Sequence, residues 1–394
     1  MSGLGIGHLD EDALDARLRA ARDVGDPLAD ALVGAFRELP GGVGWSLLEC
    51  ALDAGPDAVP DAPRALHDLL AQASTRPAWL DLDLVDAGAT SLWGAGVPAL
   101  SLALTYGSLA FGYQKADLAR PLGMTGRLEK MARRRLAETS RWYLAVTAPG
   151  AMAPFADGWK ASVRVRLVHA LVRRKLLDGG EWDASVWGVP ISSSGMLVTA
   201  IGGFHVVPER ALRDLGVRST AADREARTAL WRWVGCVMGA PEDLLPANWA
   251  EAERLVEVAD RYDLEVENEY GAALMRALTH RPVPAELVLP GIAAGPLRSL
   301  NAAVGEALIR RWLGDEVSDE LGVRRNPAGR LVPLVRPAVR AHGALQATGL
   351  LGGERRAARI QIALVSRMLD LMGDVPAPLS PADTQDAETL PEAA

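Results

Sequence analysis

The chain has 394 residues, 49% of them hydrophobic and 23% charged, a composition that supports a substantial globular core. A formal net charge of -8 excludes a protein that holds nucleic acid through global charge. Two cysteines, Cys50 and Cys236, exclude a disulfide framework and a cysteine-built metal site.

The start, MSGLGIGHLDEDALDARL, lacks a basic n-region and an apolar h-region, so no signal peptide is read and a cytoplasmic protein is expected. Helical patterns then follow one another. Asp10–Arg22 opens with an acidic cap, and Pro63–Ser74 carries its proline in a first turn. Asp81–Trp93, Pro98–Tyr113, Thr125–Val146 and Ser162–Leu177 come next, the last two stopping at Pro149-Gly150 and Gly179-Gly180. Ser192–Phe204, Pro208–Leu215, Thr220–Met238, Ala247–Leu264, Asn268–Leu278, Pro296–Leu313 and Arg356–Met372 complete the series. Alternating strand patterns are scarce. The expectation is all-α: an N-terminal helical extension over 1–24, one large helical domain over 25–372 and a disordered acidic tail over 373–394. The long uncharged stretches 87–114 and 187–208 contain Pro, Gly and Ser and read as buried helices, without stable membrane insertion.

The stretch VRVRLVHALVRRKLL (163–177) is the most informative. On a helical wheel, Ser162, Arg166 and Arg173 lie within about 60° of His169 on one side, and Val165, Val172 and Leu176 on the other. Arg164, Arg174 and Lys175 point away and read as solvent-facing. An imidazole between an apolar edge and two arginines suits a haem, which needs an apolar wall, a neutral iron ligand and cations near its propionates. The same pattern suits a core histidine whose arginine neighbours meet carboxylates elsewhere in the fold. The preceding helix, RRRLAETSRWYLAV, places Arg135 and Thr139 on the stripe of Leu128, Met131, Trp142 and Val146, with Glu138 at its edge. A buried arginine requires an anion, from the fold or from a ligand. Glu138 can pair with an arginine or serve as an acid–base group over a bound oxygen species.

Arg135-x-x-x-Thr139, followed thirty residues later by His169, resembles the latex-clearing protein and MpaB-type oxygenase family. So do RPAWLDLDLVDAGA (76–89), LTYGSLAFGY (104–113), TGRLEKMARRRLAETSRWY (125–143), the segment 187–216 and LWRWVGCVMGAPEDLLP (230–246), in that order. The resemblance implies a globin-like helical core and one non-covalent haem b. It implies His169 as proximal iron ligand, Arg135 and Thr139 as the polar pair of the pocket, and Arg166 and Arg173 as propionate partners. Glu138 stands where rubber-cleaving members carry a lysine, and Pro190-Ile-Ser-Ser-Ser-Gly195 replaces their Pro-Ile-Asn-Gln-x-Asp. Both departures fall at positions that bear on a rubber-like substrate and on the distal chemistry.

There is no phosphate-binding loop, zinc-protease motif or nucleophile elbow. His8, His67, His280 and His342 read as structural or solvated, whereas His205, after the Gly202-Gly203 pair, can face a pocket. The expected function is a haem-dependent oxygenase acting with O2 or peroxide on an apolar small molecule such as an alkene, isoprenoid or polyketide. Its electrons come from the substrate, the peroxide or a separate donor. The alternative is a haem- or lipophile-binding helical protein without turnover.

Overall fold

Aspartate, serine, threonine and asparagine sit where helices begin. Asp10, Asp26, Asp81, Asp183, Ser192, Thr220 and Asn248 each accept a backbone amide of the first turn. The computed structural model describes residues 5–124, 128–261, 267–280, 294–347 and 353–371, and every element among them is helical. In chain order these are α1 (Glu11–Arg22), α2 (Pro27–Arg37), α3 (Val43–Ala54), α4 (Arg64–Ser74), α5 (Leu82–Leu92) and α6 (Val97–Leu102). A π-helical turn (Ala103–Ser108) leads into α7 (Leu109–Gln114), α8 (Ala116–Met124), α9 (Leu128–Val146), α10 (Asp157–Asp178), α11 (Ala184–Trp187) and α12 (Ser193–Leu197). A second π-helical segment (Val198–Val206) precedes α13 (Val207–Leu215), α14 (Ala221–Val237), α15 (Trp249–Asp260) and α16 (Glu269–His280). The last are α17 (Ala294–Leu313), α18 (Asp315–Glu320), α19 (Val332–Ala347) and α20 (Glu354–Leu371).

The core gathers on α14. From Ala226 onward its residues are nearly all buried, and Leu230, Trp231, Trp233, Val234 and Val237 are fully so. Helix α14 therefore needs neighbours on all sides. It packs on α5, α10, α15, α4 and the second π segment. Gly88 of α5 permits the closest of these approaches, because a Cβ there would overlap the Ala226 carbonyl. The two π segments also touch, with the Ser108 hydroxyl donating to the Gly203 carbonyl.

Several expectations change. Helices α2, α3, α8 and α19 were not anticipated, and α10 begins at Asp157, before Ser162. The stretch 192–204 is mostly π-helical rather than α-helical. Within the 1–24 segment, α1 buries Leu14 and Leu18 in the shared hydrophobic cluster. The Thr125 cap and the tail from 373 lie outside the described residues. No single helix among the described residues is long and apolar enough to cross a membrane; the bent pair Leu82–Ala95 and Val97–Gln114 turns through 97°.

Candidate active site around His169

Helices α9 and α10 pack together across a short connection, and Trp142 Nε1 donates to Ser162 Oγ at 3.3 Å. That contact sets the register of an antiparallel pair. Seven residues back along α9 lies Arg135, and seven forward along α10 lies His169, each about 10 Å along its axis from the contact. Thr139 is level with Val165 by the same count. Glu138 and Thr139 are half-buried, Trp142 is buried, and the Arg135 side chain lies outside the described part.

The wheel placed His169, Arg166 and Arg173 together, and the structure brings all three to one small cavity. Gly25, Asp26, Ile191, Ser193, Met196, Met238 and Gly239 complete its wall. It holds about 10 Å³, room for a single water. His169 is half-buried, and its Nδ1 is sealed from solvent without a hydrogen-bond partner among the described residues. Burial, reinforced by the Arg173 charge and opposed by Asp26, lowers the His169 pKa from 6.5 to about 4. The ring is neutral at physiological pH, the form that binds metal.

Both arginines have protein carboxylates. Arg166 Nε and Nη2 bond Asp26 at 2.5 and 2.9 Å, while Nη1 bonds Gln72 Oε1 at 2.6 Å and the Val237 carbonyl at 3.1 Å. This forked pair is almost dry, with the Arg166 side chain 3% exposed and that of Asp26 11%. Arg173 bonds Asp30 at 3.0 Å and the Ile191 carbonyl at 2.9 Å, but its buried Nη2 has no partner among the described residues. The expectation of two propionate partners thus divides. Arg166 is committed to the fold because Asp26 neutralises it, whereas Arg173 keeps one unfilled donor. Arg164 is not solvent-facing either: it forks onto Glu49 of α3 at 2.8 and 2.6 Å.

Asp26 and Asp30 were missed because α2 was missed. The signal was present in Asp26-Pro27, a cap residue followed by proline in the first turn.

Above the Trp142 contact lies an aromatic cluster. Phe204 stacks on Trp231 at 5.3 Å and 12°, and Trp142 and Tyr143 pack against both rings. Tyr143 Oη and Trp231 Nε1 are buried there without partners among the described residues. Burial raises the Tyr143 pKa, so it stays a phenol. His205 lies beyond, buried, with Nε2 2.8 Å from Thr228 Oγ1 and its ring edge-on to Trp249. Arg227 and Glu209 form a second dry ion pair nearby at 2.5 Å.

The arrangement is a half-buried neutral imidazole with polar anchors on one side and an aromatic wall along the same helix pair. Among the described residues no three His, Cys, Asp or Glu side chains converge as a metal-ion site. A single imidazole suits a metal that brings its remaining ligands with it.

A helical oxygenase is the class to which these features belong. The family model described as ER-bound oxygenase mpaB/B'/Rubber oxygenase, catalytic domain, matches residues 88–347, and the chain belongs to that family. It is 26% identical over 350 residues to the rubber oxygenase of Streptomyces sp. (strain K30), covering 83% of this chain and 75% of that protein. A solved structure of latex clearing protein LCP in the closed state superposes with a TM-score of 0.65 at 23% identity, over 87% of this chain and 91% of that one. The all-α fold expected from the sequence is the fold found.

Proposed function

We propose that this oxygenase uses haem b, that His169 is its proximal iron ligand, and that it acts with O2 or peroxide on an apolar alkene, isoprenoid or polyketide-like molecule. The observation that carries the reading is a neutral His169 imidazole lining one cavity with Arg173, whose buried Nη2 has no partner among the described residues. Buried polar atoms normally have partners. A neutral imidazole and a spare guanidinium donor match the iron and one propionate of a haem. When bound, the haem supplies the iron at which an oxygen species is activated.

The chain's own residues have separate tasks. Arg166, fixed by Asp26, Gln72 and the Val237 carbonyl, holds α10 in place beside His169. Arg135 and Thr139 provide the polar pair level with this part of α10. Glu138, half-buried on the same helix, moves a proton at the substrate or oxygen species. Trp142, Tyr143, Phe204 and Trp231 form an apolar wall that excludes water. The rubber oxygenase name of the relative supports an apolar, polyisoprene-like substrate class. Glu138 at the position of the rubber-cleaving lysine favours a different member of that class.

A cavity of about 10 Å³ is far smaller than a porphyrin, so this reading requires the site to open on loading. The test is the visible spectrum of the haem-supplemented protein. Wild type should show a Soret band, His169→Ala should lose or shift it, and Glu138→Gln should keep it while turning over alkene probes more slowly. Absence of the band in wild type overturns the haem reading, and an unshifted band of equal intensity in His169→Ala removes His169 as ligand.

A further inference from the structure

On another part of the molecule, an open cleft of about 630 Å³ lies between the end of α5 and the start of α20. Thr90, Gly353, Glu354, Arg355, Arg356 and Arg359 line it. It shares no lining residue with the His169 cavity.

Three features converge there. First, α20 is an 18-residue helix whose N-terminus opens into the cleft. Gly353 precedes it and has no side chain with which to cap it. The Arg356 and Ala357 amides turn back to the Gly353 carbonyl at 2.9 and 3.0 Å. The amides of Glu354 and Arg355 remain as open donors among the described residues, at the positive end of the helix dipole. Second, Arg356 and Arg359 are exposed one turn apart and make no ion pair among the described residues. Arg355 is tied to Asp86 of α5 at 2.5 Å. With Glu354 included, three guanidiniums face two carboxylates, so the cleft remains net positive. Third, and independent of the helix end, Thr90 is 7% exposed and its Oγ1 is buried without a hydrogen-bond partner among the described residues. Threonine inside a helix ordinarily satisfies its hydroxyl on the preceding turn. Here a buried hydroxyl on a residue that lines a positive cleft has no acceptor among the described residues, and an anionic oxygen would supply one.

We infer that this cleft is a binding site for a phosphate-class anion, with Thr90 Oγ1, the first amides of α20, Arg356 and Arg359 as its donors. Orthophosphate or diphosphate and the headgroup of an anionic lipid offer the same oxygens. The inference does not depend on the haem reading.

The full-length protein separates the sources. One arm titrates it calorimetrically with orthophosphate and with pyrophosphate. The other measures flotation with phosphatidylcholine vesicles, with and without phosphatidic acid. Binding is expected in at least one arm. Arg356→Gln/Arg359→Gln, which alters only exposed side chains, should weaken it about tenfold or more, as expected when charge-assisted bonds are lost. Thr90→Val should also weaken it several-fold while raising the Tm of the anion-free protein, because it removes an unsatisfied hydroxyl. A generic basic surface would not respond to a buried hydroxyl. Binding in neither arm overturns the inference, as does binding that survives unchanged in the arginine double variant or in a folded Thr90→Val protein.

Discussion

Asp26 and Arg166 illustrate how a buried charge gains its meaning from a partner far away in sequence. Removing the carboxylate strands a guanidinium that is 3% exposed. Asp26→Asn is therefore expected to cost about 3–5 kcal/mol in urea unfolding, whereas Asp26→Leu with Arg166→Met should recover much of the loss. A loss below about 1 kcal/mol in the single variant would mean that solvent reaches the pair. His205 makes a second prediction. Burial first, and then the Arg227 charge, lower its pKa from 6.5 to about 3. The unfolded ring takes up a proton near pH 6.5 and the folded ring only near pH 3. The stability owed to the neutral ring is complete above pH 6.5 and is lost as pH falls through that window, at up to about 1.4 kcal/mol per pH unit. Unfolding curves for His205→Gln should show a slope shallower by that amount, and parallel curves would contradict the assignment. At this scale the sequence was legible in part. The wheel put His169, Arg166 and Arg173 on one face, but it could not say that Asp26 and Asp30 would meet the arginines, because those partners lie about 140 residues away.

At the scale of elements, local signals were readable wherever a cap opened an amphipathic run, as in α1, α14 and α15. They failed in two ways. Helix α2 was missed although it carries its start signal at Asp26-Pro27, and α19 carries an internal proline, Pro337, which reads as a stop. The π segments have no composition of their own. Their extra residue per turn reflects packing of Ala103–Ser108 against Val198–Val206, not local preference. Packing also fixes Gly88. Gly88→Ala is expected to force α5 away from α14 and to lower stability by about 1–3 kcal/mol or more, read as an earlier urea midpoint. An unchanged midpoint would mean that the two helices separate freely, contrary to their close approach.

For the whole molecule, the resemblance read from residues 76–260 anticipated the family, whose match spans 88–347. Helices α1 to α4 precede that match, yet α2 and α4 supply Asp26, Asp30 and Gln72 to the α10 arginines. The start of the family-matched region at residue 88 is therefore crossed by a set of buried bonds. Arg166 joins α10 to α2, α4 and the last turn of α14 at once. These helices should open as one unit rather than singly. Hydrogen exchange is expected to show the amides of α2, α4 and the end of α14 gaining protection together when haem is added; changes confined to α10 would contradict this. Arg166 thus acts as a clasp that lets the cavity report on its own occupancy: what settles beside His169 should be felt in how slowly helices beyond the family-matched region give up their protons to solvent.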